Sequence, residues 1–180
     1  PEILEDLRQA MAGILSVFRH GANGPFSALL GQKTDRILFV ATKADYLHQS
    51  QHSAYANLLE ALVQEAKQRA DYRGAKTRAM AIASLRSTVE ERREIDGADV
   101  DLVVGRVGLD TQMRALFAGE LPAHPDQILA PARAGARDWS DHEFATTDFA
   151  PPHNSLRAGF GPPHIRLDAA AEFLLADRMG

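Results

Sequence analysis

No cysteine occurs among the 180 residues of the sequence. That absence excludes a disulfide framework, cysteine-ligated zinc, iron–sulfur clusters and thiol catalysis. Positive charge is also scarce: 20 Lys and Arg stand against 24 Asp and Glu, a net charge of −4. Such a surface is a poor ligand for a phosphate backbone, so no nucleic-acid partner is expected. No apolar run approaches the roughly 18 residues of a membrane span, and no charged-then-apolar leader opens the chain. The expectation is a cytoplasmic protein with no membrane span. With 45% hydrophobic residues, a chain of this length has enough apolar material for one ordinary core without staples. Its first residue is Pro1, and Ile3, Leu4 and Leu7 already belong to an amphipathic pattern. It therefore reads as part of a longer polypeptide.

Periodicity organises the first half. Residues 2–20 place Ile3, Leu4, Leu7, Met11, Ile14, Leu15 and Phe18 at helical spacing, with Gly21 as a stop. Residues 36–42 hold a continuous apolar run of five, Ile37 to Ala41, flanked by charge. That run predicts a strand buried on both faces. Residues 51–70 return to helix spacing through Tyr55, Leu58, Leu59, Leu62, Val63 and Ala66, and 77–83 predicts a second strand. Helix, strand, helix, strand predicts an α/β fold with a three-layer, mostly parallel sheet.

Later residues change in texture. Glu90 to Glu94 is a mixed-sign charge cluster that reads as wet surface, followed by an Asp-Gly turn signal and a candidate strand over Val100–Val107. Seven of the nine prolines fall in residues 118–163, which predicts a loop-rich extension anchored by Phe117, Trp139, Phe144 and Phe149. A helix from Leu167 to Met179 closes the chain.

The most informative tetrapeptide is Thr42-Lys43-Ala44-Asp45, set directly after the first predicted strand. In G-domains an [N/T]-K-x-D motif in this position recognises guanine. The Asp carboxylate accepts from the ring N–H and the exocyclic amine, a two-point contact that adenine cannot satisfy. The Lys stem lies across the ring, and the Asn or Thr ties the loop to the phosphate loop. The carboxyl end of a parallel strand is where α/β proteins place their ligand crevice. Ala83-Ser84-Leu85, at the end of the next strand, fits a second base loop whose amides donate to the guanine oxygen. Small residues there allow close approach. Arg86, just beyond, reads as an exposed surface arginine.

Two look-alikes fail on context. Gly31-Gln32-Lys33-Thr34 suggests a phosphate loop, but Gln32 separates Gly31 from Lys33, and a strand rather than a helix follows. Asp71-Tyr72-Arg73-Gly74 spells D-x-x-G, but it reads as a helix end capped by Gly74. Among the histidines, His48 and His52 suit one helix face without a third ligand, and Asp141-His142-Glu143 reads as a solvated turn. No G-x-S-x-G elbow supports a serine nucleophile.

Several segments together resemble the YcjX family of P-loop GTPase-like proteins. They are Phe18 to Gly21, Asp35 to Asp45, Gln51-His52, Ala83 to Thr88, Phe117 to Pro122 and Pro162 to Ala170. The likeness runs from about residue 8 to the C-terminus, and its last segment is the most specific. It implies a Ras-like P-loop core that binds GTP and GDP with Mg²⁺ and hydrolyses GTP. Thr42, Lys43 and Asp45 match the guanine-specificity loop, and Ala83, Ser84 and Leu85 the second base loop.

The resemblance divides the chain into a core part over residues 1–90, a family-specific extension over 91–163, and a C-terminal helix over 164–180. Family members carry the phosphate loop and magnesium ligands in a part upstream of this chain. The segment is therefore expected to supply half of the base pocket, no catalytic residue and no metal ligand. The alternative is a non-catalytic α/β interaction domain. His164 to Asp168 matches a family signature and reads as a hook that seats the last helix.

Overall fold

A computed structural model describes residues 35–72, 74–108, 112–127, 129, 147–152 and 163–175. The helix expected over 2–20, the Gly31–Thr34 segment, Asp141–Glu143, Trp139, Phe144 and His153 lie outside those residues.

Strand β1 (Arg36–Ala41) forms from the apolar run and pairs in parallel with β2 (Lys76–Ala81), with Phe39 opposite Ala79 and Val40 opposite Met80. Strand alternation sends Ile37, Phe39 and Ala79 to one face. There they pack on Leu59 and Ala66 of the crossover helices α1 (His52–Leu62) and α2 (Gln64–Tyr72), and on Val63 between the two. The other face carries Leu38, Met80 and Ile82, covered by Ala169, Ala170 and Phe173 of α3 (Leu167–Leu175). Arg36 fixes that helix by donating to the Phe173 carbonyl at 3.0 Å, with its guanidinium 5.4 Å from the ring centroid. The parallel pair is thus sandwiched between helices.

The single helix expected over 51–70 is broken at Val63, where φ is −98° and ψ 9°. The Val63 side chain is 1% exposed, wedged beside Phe39 and Ala66. Burying this β-branched side chain outweighs one residue of regular helix. At the end of α2 the Gly74 cap forms as expected. Gly74 adopts φ 85°, and the Ala75 amide bonds back to the Ala70 carbonyl at 3.1 Å, the left-handed closure that glycine allows without strain. Asp71 accepts from the Thr77 hydroxyl at 2.7 Å, so its carboxylate works locally.

Beyond β2 the outcome departs from a mostly parallel sheet. Among the described residues only β1 and β2 are parallel, while β3 (Thr88–Ile95), β4 (Ala98–Arg106) and β5 (Met113–Leu116) form a separate antiparallel sheet in that order. Asp96 and Gly97, at φ 52° and 80°, make the tight turn that forces β3 and β4 to be antiparallel. The charge cluster read as plain surface is the strand β3, which runs across residue 90. As an edge strand it can carry charges, and they pair: Arg92 with Asp101 at 2.7 Å, Arg93 with Glu91 at 2.6 Å, and Arg86 with Glu90 at 3.2 Å. Central β4 holds the buried run Leu102, Val103 and Val104.

Of the two anchors that can be placed, Phe149 is buried, whereas Phe117 is 45% exposed. Phe149 meets Tyr46 edge-on with ring centroids 5.2 Å apart, and it lies over Gly105. A Cβ at Gly105 would stand 2.6 Å from the Phe149 ring and 3.1 Å from the Ser87 carbonyl. Gly105→Ala is therefore expected to destabilise the complete protein by about 1–3 kcal/mol. Denaturant midpoints would show it, and an unchanged midpoint would mean that Phe149 moves aside freely.

Candidate functional site

The carboxyl ends of β1 and β2 bring the two expected loops together. After β1, Lys43 adopts the left-handed conformation (φ 59°) and turns the chain so that Ala44 and Asp45 enter the interior, while Thr42 and Lys43 remain exposed. The Ala44 amide donates to the Ile82 carbonyl at 3.0 Å, tying this loop to the end of β2. Tyr55 donates to the Thr42 carbonyl at 3.2 Å, and the Lys43 ammonium stands 4.9 Å from the Tyr46 ring centroid.

Asp45 is 3% exposed. Its Oδ2 accepts from the Ser87 amide at 2.8 Å, and its backbone carbonyl accepts from the Thr88 hydroxyl. Among the described residues nothing donates to Oδ1. A buried carboxylate oxygen without a donor is costly unless something else supplies one.

In the second loop, the Ala83 amide donates to the Ile165 carbonyl at 3.1 Å and the Arg86 amide to the Pro163 carbonyl at 2.7 Å. Between them, the amides of Ser84 and Leu85 have no acceptor among the described residues, and both residues are exposed. Arg86 is not the free surface arginine expected. It is half-buried, paired with Glu90, and donates to the Thr88 carbonyl at 3.1 Å.

The histidine pair separates. His48 precedes the helix and faces Asp101 at 3.2 Å, whereas His52 is buried at the start of α1. His52 is the residue that sequence reasoning passed over. Its Nε2 lies 2.7 Å from the Ala44 carbonyl and 3.1 Å from the Leu47 carbonyl, so this nitrogen carries the proton. Its Nδ1 faces the Arg166 guanidinium at 3.1 Å and must therefore accept. Burial is the main force holding the ring below its ordinary pKa. The Arg166 charge adds to it, while the two carbonyl hydrogen bonds and the Glu90 charge pull the other way. The available signal was Gln51-His52 in the family likeness. Gln51 in turn grips the 117–122 segment, donating to the Gly119 carbonyl and accepting from the Leu121 amide, both at 2.8 Å.

Segments quoted for the resemblance thus meet in space: 42–45, 51–52, 83–88, 117–122 and 163–170. Phe18 to Gly21 lies outside the described residues. The model of the YcjX-like family, DUF463, matches residues 1–179. The chain belongs to the YcjX-like family. Two relatives share the name "Ras-like GTPase YcjX". The one from Escherichia coli (strain K12) is 30% identical over 180 residues, covering 99% of this chain and 36% of that protein. The one from Shewanella oneidensis (strain MR-1) is 29% identical over 178 residues, 97% of this chain and 35% of that protein. The chain thus spans about a third of the length of these curated relatives.

The described elements make an α/β architecture, with one parallel and one antiparallel sheet. Among the described residues no group of three or more His, Asp or Glu could hold a metal ion, and no helix is long and apolar enough to cross a membrane. Mg²⁺ therefore finds no cluster of three such side chains among the described residues.

Proposed function

We propose that this chain is the base-recognising part of a GTP-binding protein that hydrolyses GTP to GDP on a Ras-like P-loop core. The observation that carries this reading is the pairing of opposite hydrogen-bonding characters at the two strand ends. Asp45 offers a buried acceptor oxygen, Oδ1, and the Ser84 and Leu85 amides offer donors. Guanine presents the complement, with N1–H and the exocyclic amine as donors and O6 as acceptor. Adenine reverses that pattern at its six-position and lacks the two-amine, so it would leave the Asp45 oxygen unpaired.

In this arrangement Thr42 and Lys43 form the exposed lip of the site, and the Lys43 stem is the surface on which a planar base lies. Ala83 sets the second loop on its strand-like bridge, leaving Ser84 and Leu85 to present their amides. Residues 1–90 belong to the nucleotide core, 91–163 to a family-specific extension and 164–180 to the closing helix. The phosphate cradle and Mg²⁺, which supply most of the stabilisation in phosphoryl transfer, fall to the remainder of the protein.

Calorimetric titration of the complete protein with GDP-Mg and ADP-Mg tests this directly. Heat of binding for GDP and none for ADP is the expected result. Silence for both from a folded protein would replace this reading with that of a non-catalytic interaction domain.

A further inference from the structure

We infer that residues 163–166 form a clamp joining the two base loops, with Arg166 acting through His52 as a positioning residue for guanine-nucleotide binding. The inference rests on the base-site reading above and adds to it a dependence on how the C-terminal helix is seated.

Three kinds of contact build the clamp. Main chain comes first: Ile165 and Ala83 exchange hydrogen bonds at 2.8 and 3.1 Å, and the Pro163 carbonyl receives the Arg86 amide at 2.7 Å. These bonds bracket Ser84 and Leu85, whose amides are left for a ligand. The second contact is apolar. Ile165 is buried in one cluster with Ala44 from the first loop, Ala81 at the end of β2 and Ala83 from the second loop. The third is polar. Arg166 donates to the Ala81 carbonyl at 3.3 Å and to His52 Nδ1 at 3.1 Å, and His52 passes the restraint to the Ala44 carbonyl at 2.7 Å. Ala44 is the residue immediately before Asp45.

Arg166 holds this position from a left-handed backbone conformation, φ 53°, which is uncommon for a residue with a Cβ. Its own carbonyl accepts from the Ala170 amide at 3.0 Å in the first turn of α3. One residue therefore opens the last helix and is linked, through His52, to the first base loop. The Asp45 oxygen and the loop amides can engage one base together only while the two loops keep their spacing. Hydrogen bonds weaken steeply with misalignment, so loosening the clamp should weaken base binding. The guanidinium bonds are of the charge-assisted kind, and the part of their energy that couples to the loop spacing is expected to change affinity by about tenfold.

The test uses the complete protein, with GDP and inosine diphosphate as probes. The latter lacks the two-amine that reaches Asp45, so the ratio of the two affinities reads the geometry at Asp45 rather than general stability. Arg166→Ala is expected to weaken GDP about tenfold and to narrow the GDP to inosine diphosphate ratio. Arg166→Lys, which keeps the charge but not the two-pronged reach, should fall between it and the wild type. Arg36→Ala loosens α3 at Phe173, away from the base loops, and should leave the ratio unchanged.

An Arg166→Ala protein that folds and keeps both the affinity and the ratio overturns the clamp. If that variant does not fold, Arg166→Lys decides in the same way. Equal effects of Arg36→Ala and Arg166→Ala on the ratio also overturn it, because only helix seating would then matter. Loss of guanine binding by the wild type, or retained guanine preference in Asp45→Asn, overturns the base-site reading and the clamp with it. Intact base selection by those two criteria, with no response at Arg166, overturns the clamp alone.

Discussion

Asparagine in place of Asp45 is expected to move the preference of the complete protein from guanine to xanthine nucleotides. The structure specifies how. The Ser87 amide donates to Oδ2 at 2.8 Å, so an asparagine side chain will turn its oxygen to that amide and keep the bond. Its NH₂ group then occupies the place of Oδ1 and faces the base as a donor. Guanine's two-amine would meet a donor, whereas xanthine has a carbonyl at the same position and can accept. A site built around such paired groups discriminates by roughly 10⁴-fold, and a change of that order in the guanine to xanthine ratio is the predicted effect. Because the Ser87 bond survives, folding stability should change little. Competition binding with GDP and xanthosine diphosphate reads the outcome, and an unaltered guanine preference would remove Asp45 from the site.

Loss of the His52 ring should have the largest effect on stability. His52→Ala leaves the Leu47 carbonyl without its partner, takes from the Arg166 guanidinium its bond to the ring, deprives Ala44 of its short hydrogen bond, and opens a cavity where a 3% exposed side chain stood. Together these predict a loss of about 2–4 kcal/mol in the complete protein.

The same residue makes stability depend on pH. Burial, helped by the Arg166 charge, holds the folded ring below its ordinary value of 6.5, so the unfolded chain takes up a proton first as pH falls. The contribution of His52 is therefore full above that value. It declines as pH drops through 6.5 and levels off only below the lowered folded-state pKa. Denaturant midpoints at pH 7.5 and 5.5 should differ more for the wild type than for His52→Ala. Equal pH responses would mean that the buried ring is not held neutral.

What could be read from the sequence follows from short-range rules. The Ile37 to Ala41 run specifies a strand covered on both faces. Gly74 marks a helix end because only glycine takes that left-handed cap without strain, and Asp96-Gly97 marks a hairpin for a similar reason. The tetrapeptide Thr42 to Asp45 stands out because its polar residues directly follow an apolar strand, at the strand end where α/β folds place a ligand crevice. Its assignment to guanine remains the proposal made above.

Other features depend on residues far apart in the chain, and local pattern cannot carry them. Glu90 to Glu94 reads as wet surface because its charges alternate without an apolar stripe; strand β3 exists through its pairing with β4. His52 resembles any polar residue at a helix start until Arg166, 114 positions away, meets its Nδ1. Arg86 reads as solvated because its partners, the Glu90 carboxylate and the Thr88 carbonyl, face it only once β3 has formed by pairing with β4.

The sequence by itself determined the two strand ends, their loops and the residue types on which the proposed base site rests. Tertiary structure alone decided which Asp45 oxygen is held and which is left, and that the C-terminal segment locks both loops. The physical reason is range: backbone propensity and hydrophobic period act over a few residues. The direction of a buried carboxylate and the protonation of a buried imidazole are set by whatever group the fold brings within about 3 Å.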